Sequence, residues 1–523
     1  MLGIFAVLLG ASLATFFGRL LSVGAGDLRG ALGLDADAAS WITTTYNMGM
    51  MFIGPFSVYV GGLLGPRRVL LGAACVFSVM CLFMPFAGHL AALLALLALA
   101  GLTAGTFYPL SLSFILRNLP QRYLHYGIAV YAMDIVVSTH AAHSYEAWVI
   151  RVLSWRWLFW TFTVMTPVMI ALVVSGIPRQ PLPQPQPGQR TPSWRGFLYA
   201  SLGASLLYGA LDQGQRLDWW RSGTFVAMFA AGAFLIAAAA IRHFSMPNPL
   251  VNWPFLRRWN TVLLGLTVML FRFVLLASVV LIPTYLAAVQ KYRPDQTGPV
   301  LLWVAIPQLL AGVLAVYLLG RIDARLILAT GFALIAIACL MDSRISTAWS
   351  GNSFEASELI LAIGEGLAFN GMVGAIVLDL LNSGSVAKAA DVLTFGGFFQ
   401  SIRLFGGELG ASFIQFFLHS RQVFHYDLLA AGITGGSEPV IERSRLLAGA
   451  MSAHATRDVA AGRSAEIFLG SVGQQAFTLS IVDSFTLIAY AATACLLVVV
   501  CLRSLKVGFP QIMAASTAAK SST

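Results

Sequence analysis

The chain has 523 residues, of which 58% are hydrophobic and only 10% charged, and its mean hydropathy is +0.79. That composition excludes an ordinary soluble domain and points to a polytopic membrane protein. The formal charge of +10 is carried by Lys and Arg placed singly or in pairs, without the basic run or aromatic-interleaved patch of a nucleic-acid surface.

Cys75, Cys81, Cys339, Cys495 and Cys501 all fall in apolar runs without paired spacing, which predicts buried free thiols rather than disulfides or a zinc site. The opening MLGIFAVLLGASLATFF lacks a basic n-region and a small-residue cleavage site, so it is expected to be a retained first span. About 20 helical residues cross a hydrocarbon core. On that criterion fourteen apolar runs are spanning candidates, at approximately 2–25, 41–64, 69–88, 91–116, 126–150, 157–177, 197–215, 223–241, 261–289, 298–319, 325–341, 356–381, 391–418 and 476–502.

These divide into a six-helix bundle over 1–177, a Pro/Gln-rich cytoplasmic linker at 178–196, and two accessory spans in 197–241. A cytoplasmic connector at 242–260, a second six-helix bundle over 261–503 and a cytoplasmic tail at 504–523 complete the chain. Residues 419–475 read as a long periplasmic hydrophilic loop holding a short helix near IERSRLLAGAMSAHA. With that loop set aside, Lys and Arg are in excess on the side carrying both termini, which predicts that both are cytoplasmic.

An internal echo suits a repeated bundle. GPRRVLL (65–71) follows the second run and GRIDARLIL (320–328) the tenth, while LALAGLTAG (97–105) in the fourth run is echoed by LAIGEGLAF (361–369) in the twelfth. Transporters place substrate sites near the midplane, where such repeats meet.

The fifth run is unusually polar. DIVVSTHAAHSYEAWVI (134–150) holds Asp134, His140, His143 and Glu146. An ionised Asp near the bilayer centre costs about 2.5–3.5 kcal/mol on insertion scales, so such groups face the protein interior and have partners. At 100° per residue His140, His143 and Glu146 follow one drifting stripe, and Asp134 lies about 120° round from His140. Two readings stand: a proton relay, or a Glu146 at the outer interface near Trp148 and Arg151 with histidines bonded to neighbouring helices. The spacing His-x-x-His-x-x-Glu also fits metal ligands, but no second His cluster occurs in another run, and no metal is expected.

Glu365 lies in a glycine-rich run whose close packing would bury it; it is either a second proton carrier or the structural partner of Arg19, Arg272 or Arg403. Arg19 and Arg272 stay charged and are suited to holding a carboxylate or an anionic substrate group. Tyr46, Phe107, Tyr108 and Phe369 are candidates for stacking on flat substrates, beside the alternative that they simply pack. GLTAG, IGEGL and FGGELG read as glycines for helix contact, because none follows a strand and no phosphate-loop Lys-Ser/Thr is present.

GDLRGALGLDADAASWITTTYNMG (26–49), LSWRWLFW (153–160), ALDQGQRLDWWRSGTF (210–225), FFQSIRLFGGELGASF (398–413) with HSRQVFHYDLL, and AFTLSIVDSF (476–485) together carry a family likeness. Through them nearly the whole chain resembles the fourteen-span drug:proton antiporters of the major facilitator superfamily, the EmrB/QacA type. The resemblance implies an all-α membrane fold of two six-helix bundles plus two accessory helices, and no enzyme activity or cofactor. It makes Arg67 and Arg68 remnants of the turn after the second span, and gives Arg403, Gly406, Gly407 and Asp483 structural or gating roles. The chain departs from the family pattern by lacking the turn's Asp, by placing Leu97 and Ala100 at the family's Arg and Gln positions, and by AHSYEA (142–147) in place of Gly-Pro-x-x-Gly-Gly. Phe17 stands where many relatives carry an Asp.

The expectation is thus a proton-driven exporter of small amphipathic or aromatic compounds in the inner membrane, with Arg19 and Arg272 favouring organic anions over cations. The resemblance further implies a periplasmic adaptor and an outer-membrane channel as partners. An uptake or proton-independent permease is the first alternative and an intramembrane metalloenzyme the second. No ATP-binding motif is present, so the expected energy source is a gradient.

Overall fold

The computed structural model describes residues 2–120, 123–179, 194–245, 253–383, 389–433, 437–451, 456–504 and 507–512. The expected linker lies almost wholly outside the described residues, as do parts of the connector and most of the tail. Every regular element described is helical.

In chain order these are α1 (Leu2–Val23), α2 (Ala25–Leu32), α3 (Ala36–Leu64), α4 (Pro66–Phe83), α5 (Leu90–Asn118), α6 (Leu124–Val152), α7 (Trp157–Gly176), α8 (Trp194–Gly214) and α9 (Gly223–Phe244). They continue as α10 (Trp253–Leu256), α11 (Trp259–Val274), α12 (Ile282–Ala288), α13 (Pro294–Leu319), α14 (Ala324–Asp342), α15 (Glu355–Asn382), α16 (Ala389–Ala431), α17 (Glu438–Met451) and α18 (Arg457–Val500). Each of the fourteen apolar runs falls on one of these helices, with α11 and α12 sharing a run. Among the described residues, ten helical stretches are long and apolar enough to cross a membrane by length and composition. Beside them run α3, α6, α8 and α16, which carry polar residues in their interiors.

Local chemistry sets the breaks. Asp35 caps α3 by accepting from the Ala38 N–H at 2.6 Å, and Asp323 caps α14 by accepting from Arg325 N–H at 2.9 Å. Gly65, at φ 81°, makes the sharp corner between α3 and α4, and Pro66 starts the next helix where no N–H is needed.

Proline also shapes the run from α11 to α12. Residues Ala277–Leu281 form a π turn just before Pro283. Pro283 lacks the N–H that an α-helix would aim at the Val279 carbonyl, so the ladder widens there and that carbonyl is left for another donor. Pro167 does the same inside α7, where the Thr163 carbonyl accepts from Ser78 of α4 at 3.3 Å.

Glycine brings helices together. A Cβ on Gly49 of α3 would stand 2.6 Å from the Ala98 carbonyl of α5, and one on Gly371 of α15 would stand 2.7 Å from the Leu328 nitrogen of α14. Within the echoed stretches, a Cβ on Gly105 would stand 2.9 Å from the Met50 carbonyl of α3 and one on Gly364 would stand 3.0 Å from the Gly331 carbonyl of α14, so both lie at tight helix crossings. Helices α1, α3–α5 and α7 pack mainly on one another, as do α11–α16 and α18, while α6 packs chiefly across on α13 and α15; the two sets also meet along α3 with α16. The pair α8 and α9 rests on α3, with α8 also touching α16.

The segment 419–475 corrects the sequence expectation. Its described residues are mostly helical: α16 continues to Ala431, α17 covers most of the short helix expected near 441–455, and α18 begins at Arg457. Its hydropathy falls because helices leave the apolar layer, and polarity of that kind marks solvent rather than irregular backbone.

Candidate functional site

The polar face of α6 turns towards the second helix set, and it meets a carboxylate there. His140 is buried, with Nε2 3.3 Å from Oε2 of the fully buried Glu365 on α15. Oε1 of Glu365 accepts from the Ser278 hydroxyl at 2.7 Å, and Oε2 accepts from the Gln308 amide at 2.6 Å. Four elements thus converge on one side chain: α6, the π turn, α13 and α15.

Of the two sequence readings of Glu365, pairing with an arginine is excluded among the described residues, where its only ion-pair contact is His140. Neutral donors and one histidine hold it instead. That set tolerates both the ionised and the neutral carboxyl, because Ser and Gln can reorient to accept as well as donate, whereas an arginine would hold the charge in place.

The rest of the α6 stripe divides. Asp134, half-buried, accepts from Ser12 of α1, which also lies 3.4 Å from the Ser138 hydroxyl one turn along. His143 is buried with Nδ1 unbonded and lies within electrostatic reach of Arg19. Trp148 and Arg151 are exposed, while Glu146 is fully buried beside Asp27 of α2 and within electrostatic reach of Asp295 at the start of α13.

The arginines surround the same region. Arg19 of α1 donates to the Val279 carbonyl at 2.7 Å, the oxygen made available by Pro283, and so ties the first helix set to the π turn. Arg272 of α11 lies against Gly407, where a Cβ would stand 3.0 Å from its Nη2. Arg403 of α16 donates to Gln400 at 3.1 Å and lays its guanidinium 3.8 Å from the Tyr108 ring centroid. Arg272 is within electrostatic reach of both other arginines. Among the described residues none of the three is ion-paired with a carboxylate.

Between them lies a cavity of about 20 Å³ whose lining includes His140, Phe271, Arg272, Leu275, Phe369 and Arg403. Phe271 stacks on Phe369, with centroids 5.4 Å apart and planes 8° from parallel. The wall is cationic and aromatic at once. The volume admits about one water, so the helix sets are closed around it.

Other candidates have packing roles. Tyr46 is fully buried and donates to the Ala14 carbonyl at 2.9 Å, and Phe107 packs edge-on against Phe77 within a cluster that also holds Phe17 and Phe162. Neither lines the cavity. One residue turns a helix by 100°, so Phe107 faces the first helix set's core while Tyr108 faces Arg403.

Arg67 donates to the Ile177 and Val174 carbonyls at 2.7 and 2.9 Å, joining α4 to the end of α7, and Arg68 lines a groove with it. Gly406 lets α16 approach α11, a Cβ there standing 3.0 Å from Met269 Cα. Asp483 accepts from Arg421 at 2.6 Å and lies 2.7 Å from His425 Nε2, joining α18 to α16. Asp212, within the 197–215 run, is on α8 and accepts from Thr44. Among the described residues no group of three or more His, Cys, Asp or Glu is arranged to hold a metal ion.

Sequence reasoning missed Ser278, Gln308 and Ser12, the donors to the two carboxyls. Gln308 is the one with a readable signal, a lone amide in the apolar run VLLWVAIPQLLAGVLAV.

The family profile of the Major Facilitator Superfamily matches residues 7–411. Multidrug export protein EmrB of Haemophilus influenzae is 25% identical over 451 residues, covering 81% of this chain and 82% of its own. The probable multidrug resistance protein EmrY of Escherichia coli K12 is 22% identical, covering 82% and 83%. Among solved structures, the human organic anion transporter MFSD10 aligns with a TM-score of 0.55 at 11% identity, covering 94% of this chain and 98% of its own. The proton:xylose symporter XylE aligns with the same TM-score at 14% identity, covering 81% and 90%.

Proposed function

Because the chain belongs to the major facilitator superfamily, and is thus a multi-pass membrane transporter rather than an enzyme, we propose that it exports small amphipathic or aromatic compounds in exchange for protons. The observation that carries this reading is the Glu365 junction, a buried carboxyl bound by a histidine and two neutral donors across the seam between helix sets.

With Glu365 ionised and His140 protonated, the two hold α6 against α15. A proton arriving at Glu365 cancels that attraction and releases the seam, so proton binding and the opening of the cavity are linked. Arg272, Arg403 and the Phe271–Phe369 stack then favour a flat ligand bearing negative charge, which supports an organic anion within the substrate range. Export is favoured by the multidrug export proteins among the relatives.

The proposal includes fourteen spans, an inner-membrane location and both termini in the cytoplasm. It also includes a periplasmic adaptor leading to an outer-membrane channel. The helical projection of α16–α18, with Phe424, Leu428 and Leu446 exposed, is the surface offered to that adaptor.

The test is proton release from energised everted vesicles on adding ethidium or 1-naphthoate. Release by wild type and none by Glu365→Gln is expected. Uptake of labelled 1-naphthoate without proton movement would replace this reading with a proton-independent permease.

A further inference from the structure

Two buried carboxylates stand apart from the Glu365 junction. Asp342 closes α14 and Glu358 lies in the first turns of α15; both are 0% exposed, and, Ser357 aside, none of their four oxygens has a hydrogen-bond partner. The Ser357 hydroxyl donates to the Phe354 carbonyl at 3.0 Å and lies within hydrogen-bonding reach of Asp342 as well.

The crossing of α14 and α15 closes off the sides of this pair. A Cβ on Gly364 would stand 2.9 Å from Ile335 and 3.0 Å from the Gly331 carbonyl, so the two backbones lie nearly in contact. Arg344, two residues beyond Asp342, is turned outward and exposed. Glu358 lies within electrostatic reach of Asp342, Glu355 and Glu365, and the fully buried Cys339 thiol within reach of Asp342 and Glu365. His140 of α6 and Gln308 of α13 face the Glu365 end. Among the described residues no Lys, Arg or His forms an ion pair with Asp342 or Glu358.

Two carboxylates taken out of water within electrostatic reach of each other, with no cation and with only the shared Ser357 hydroxyl as a donor, need a ligand to be tolerated. The smallest that fits is a proton. Geometry then gives the pair a destination. Glu358 and Glu365 are seven residues apart on α15, which places them about 20° from the same face and roughly 10 Å apart along the axis. Cys339 marks the space between.

We propose that Asp342 and Glu358 form a proton-holding pair that loads from the aqueous end of the α14–α15 hairpin and delivers to Glu365. In the step, an O–H bond of the pair breaks and one forms on Glu365. Water molecules admitted between them receive and pass on a proton in turn, and the pair recovers its proton from the aqueous phase. Nothing else is consumed. This inference rests on Glu365 as the coupling carboxyl.

The experiment has two arms. In purified protein in detergent, without substrate, the acid-minus-base infrared spectrum reads the carboxylic C=O band of buried acids. Asp342→Asn and Glu358→Gln are each expected to remove a share of that band; spectra identical to wild type in both would overturn the pair.

In everted vesicles, 1-naphthoate-driven proton release is followed against pH. Both variants are expected to release protons at least tenfold more slowly with a changed pH profile, and Glu358→Asp to recover part of the rate. Wild-type rates and profile in both variants overturn the delivery step while leaving Glu365 antiport standing. If wild type itself releases no protons with either ethidium or 1-naphthoate, the Glu365 reading fails and the delivery step with it. Slow release in a variant whose carboxylic band is intact assigns the loss to structure and likewise overturns the relay.

Discussion

The two seams between the helix sets are built from different chemistry. Along α6, α13 and α15 the contact is made by His140, Glu365, Gln308 and Ser278, and buried Glu146 lies further along the same helix. Along α3 and α16 the contact at Gly54 is made by aliphatic atoms, where a Cβ would stand 3.2 Å from Gln400 Cγ and 3.9 Å from Leu404 Cδ1. Arg403, on α16, looks away from its own seam to Tyr108. A seam of titratable groups changes its strength when a proton binds, whereas a seam of glycine and aliphatic contacts does not. Under the antiport proposed above, the first seam switches and the second slides.

The largest expected effect comes from taking the proton from the first seam. Glu365→Gln keeps the side-chain volume and a hydrogen-bonding amide but cannot carry a proton, and proton release should fall by about a hundredfold, the scale of losing a positioned acid–base group. Substrate binding measured by fluorescence quenching should fall much less. Equal losses in both would make Glu365 a binding residue.

The next effect separates the charged wall from the proton seam. Gly407→Val places methyl groups where Arg272 lies, moving a guanidinium rather than backbone. The affinity for 1-naphthoate should weaken by roughly tenfold, about 1.5 kcal/mol, the value of one hydrogen bond to a charged group. Affinity for ethidium should be unchanged or improved, and a parallel loss for both dyes would remove the anion preference.

A smaller effect is expected from Pro283→Ala. The restored N–H competes with Arg19 for the Val279 carbonyl, a change of about 1 kcal/mol at one hydrogen bond. Transport should slow by roughly fivefold; an unchanged rate in reconstituted vesicles would show that Arg19 does not need that oxygen.

The smallest lies outside both seams, at the turn before α14. Burial alone would push the Asp323 carboxyl up, but Arg325's hydrogen bonds and charge outweigh it and hold the carboxyl below its ordinary range. A depressed folded value contributes stability that is present above the unfolded value of about 3.9 and lost as pH falls through the folded one. Asp323→Asn should cost no more than about 0.5 kcal/mol at neutral pH, since the pair is partly exposed, and should remove this contribution to acid sensitivity in a thermal melt.

Much of the fold was legible because it depends on local sums. A run of apolar residues reports a buried or lipid-facing helix regardless of its neighbours, and every expected run falls on a helix. Segment 419–475 was misread because the same rule is silent about helices in water. The site was half legible: four acids and bases in one apolar run are improbable by insertion energy, which singled out Asp134, His140, His143 and Glu146. Their partners were not, because Ser278, Gln308 and Ser12 are ordinary residues until another helix brings a carboxyl to them. Asp342 and Glu358 escaped notice because they lie at helix ends, where charge is cheap unless the fold buries it.

By itself the sequence determined that the protein lives in a membrane, where its apolar helices lie along the chain, and which of those helices is unusually rich in acids and bases. Those follow from hydrophobic free energy and backbone hydrogen bonding, which act within a segment. Only tertiary structure decided that Glu365 meets His140 rather than an arginine, that Phe107 packs while Tyr108 faces Arg403, and that Asp342 and Glu358 are both buried. Each of those depends on how a helix is rotated against its neighbours, and no single segment specifies that rotation.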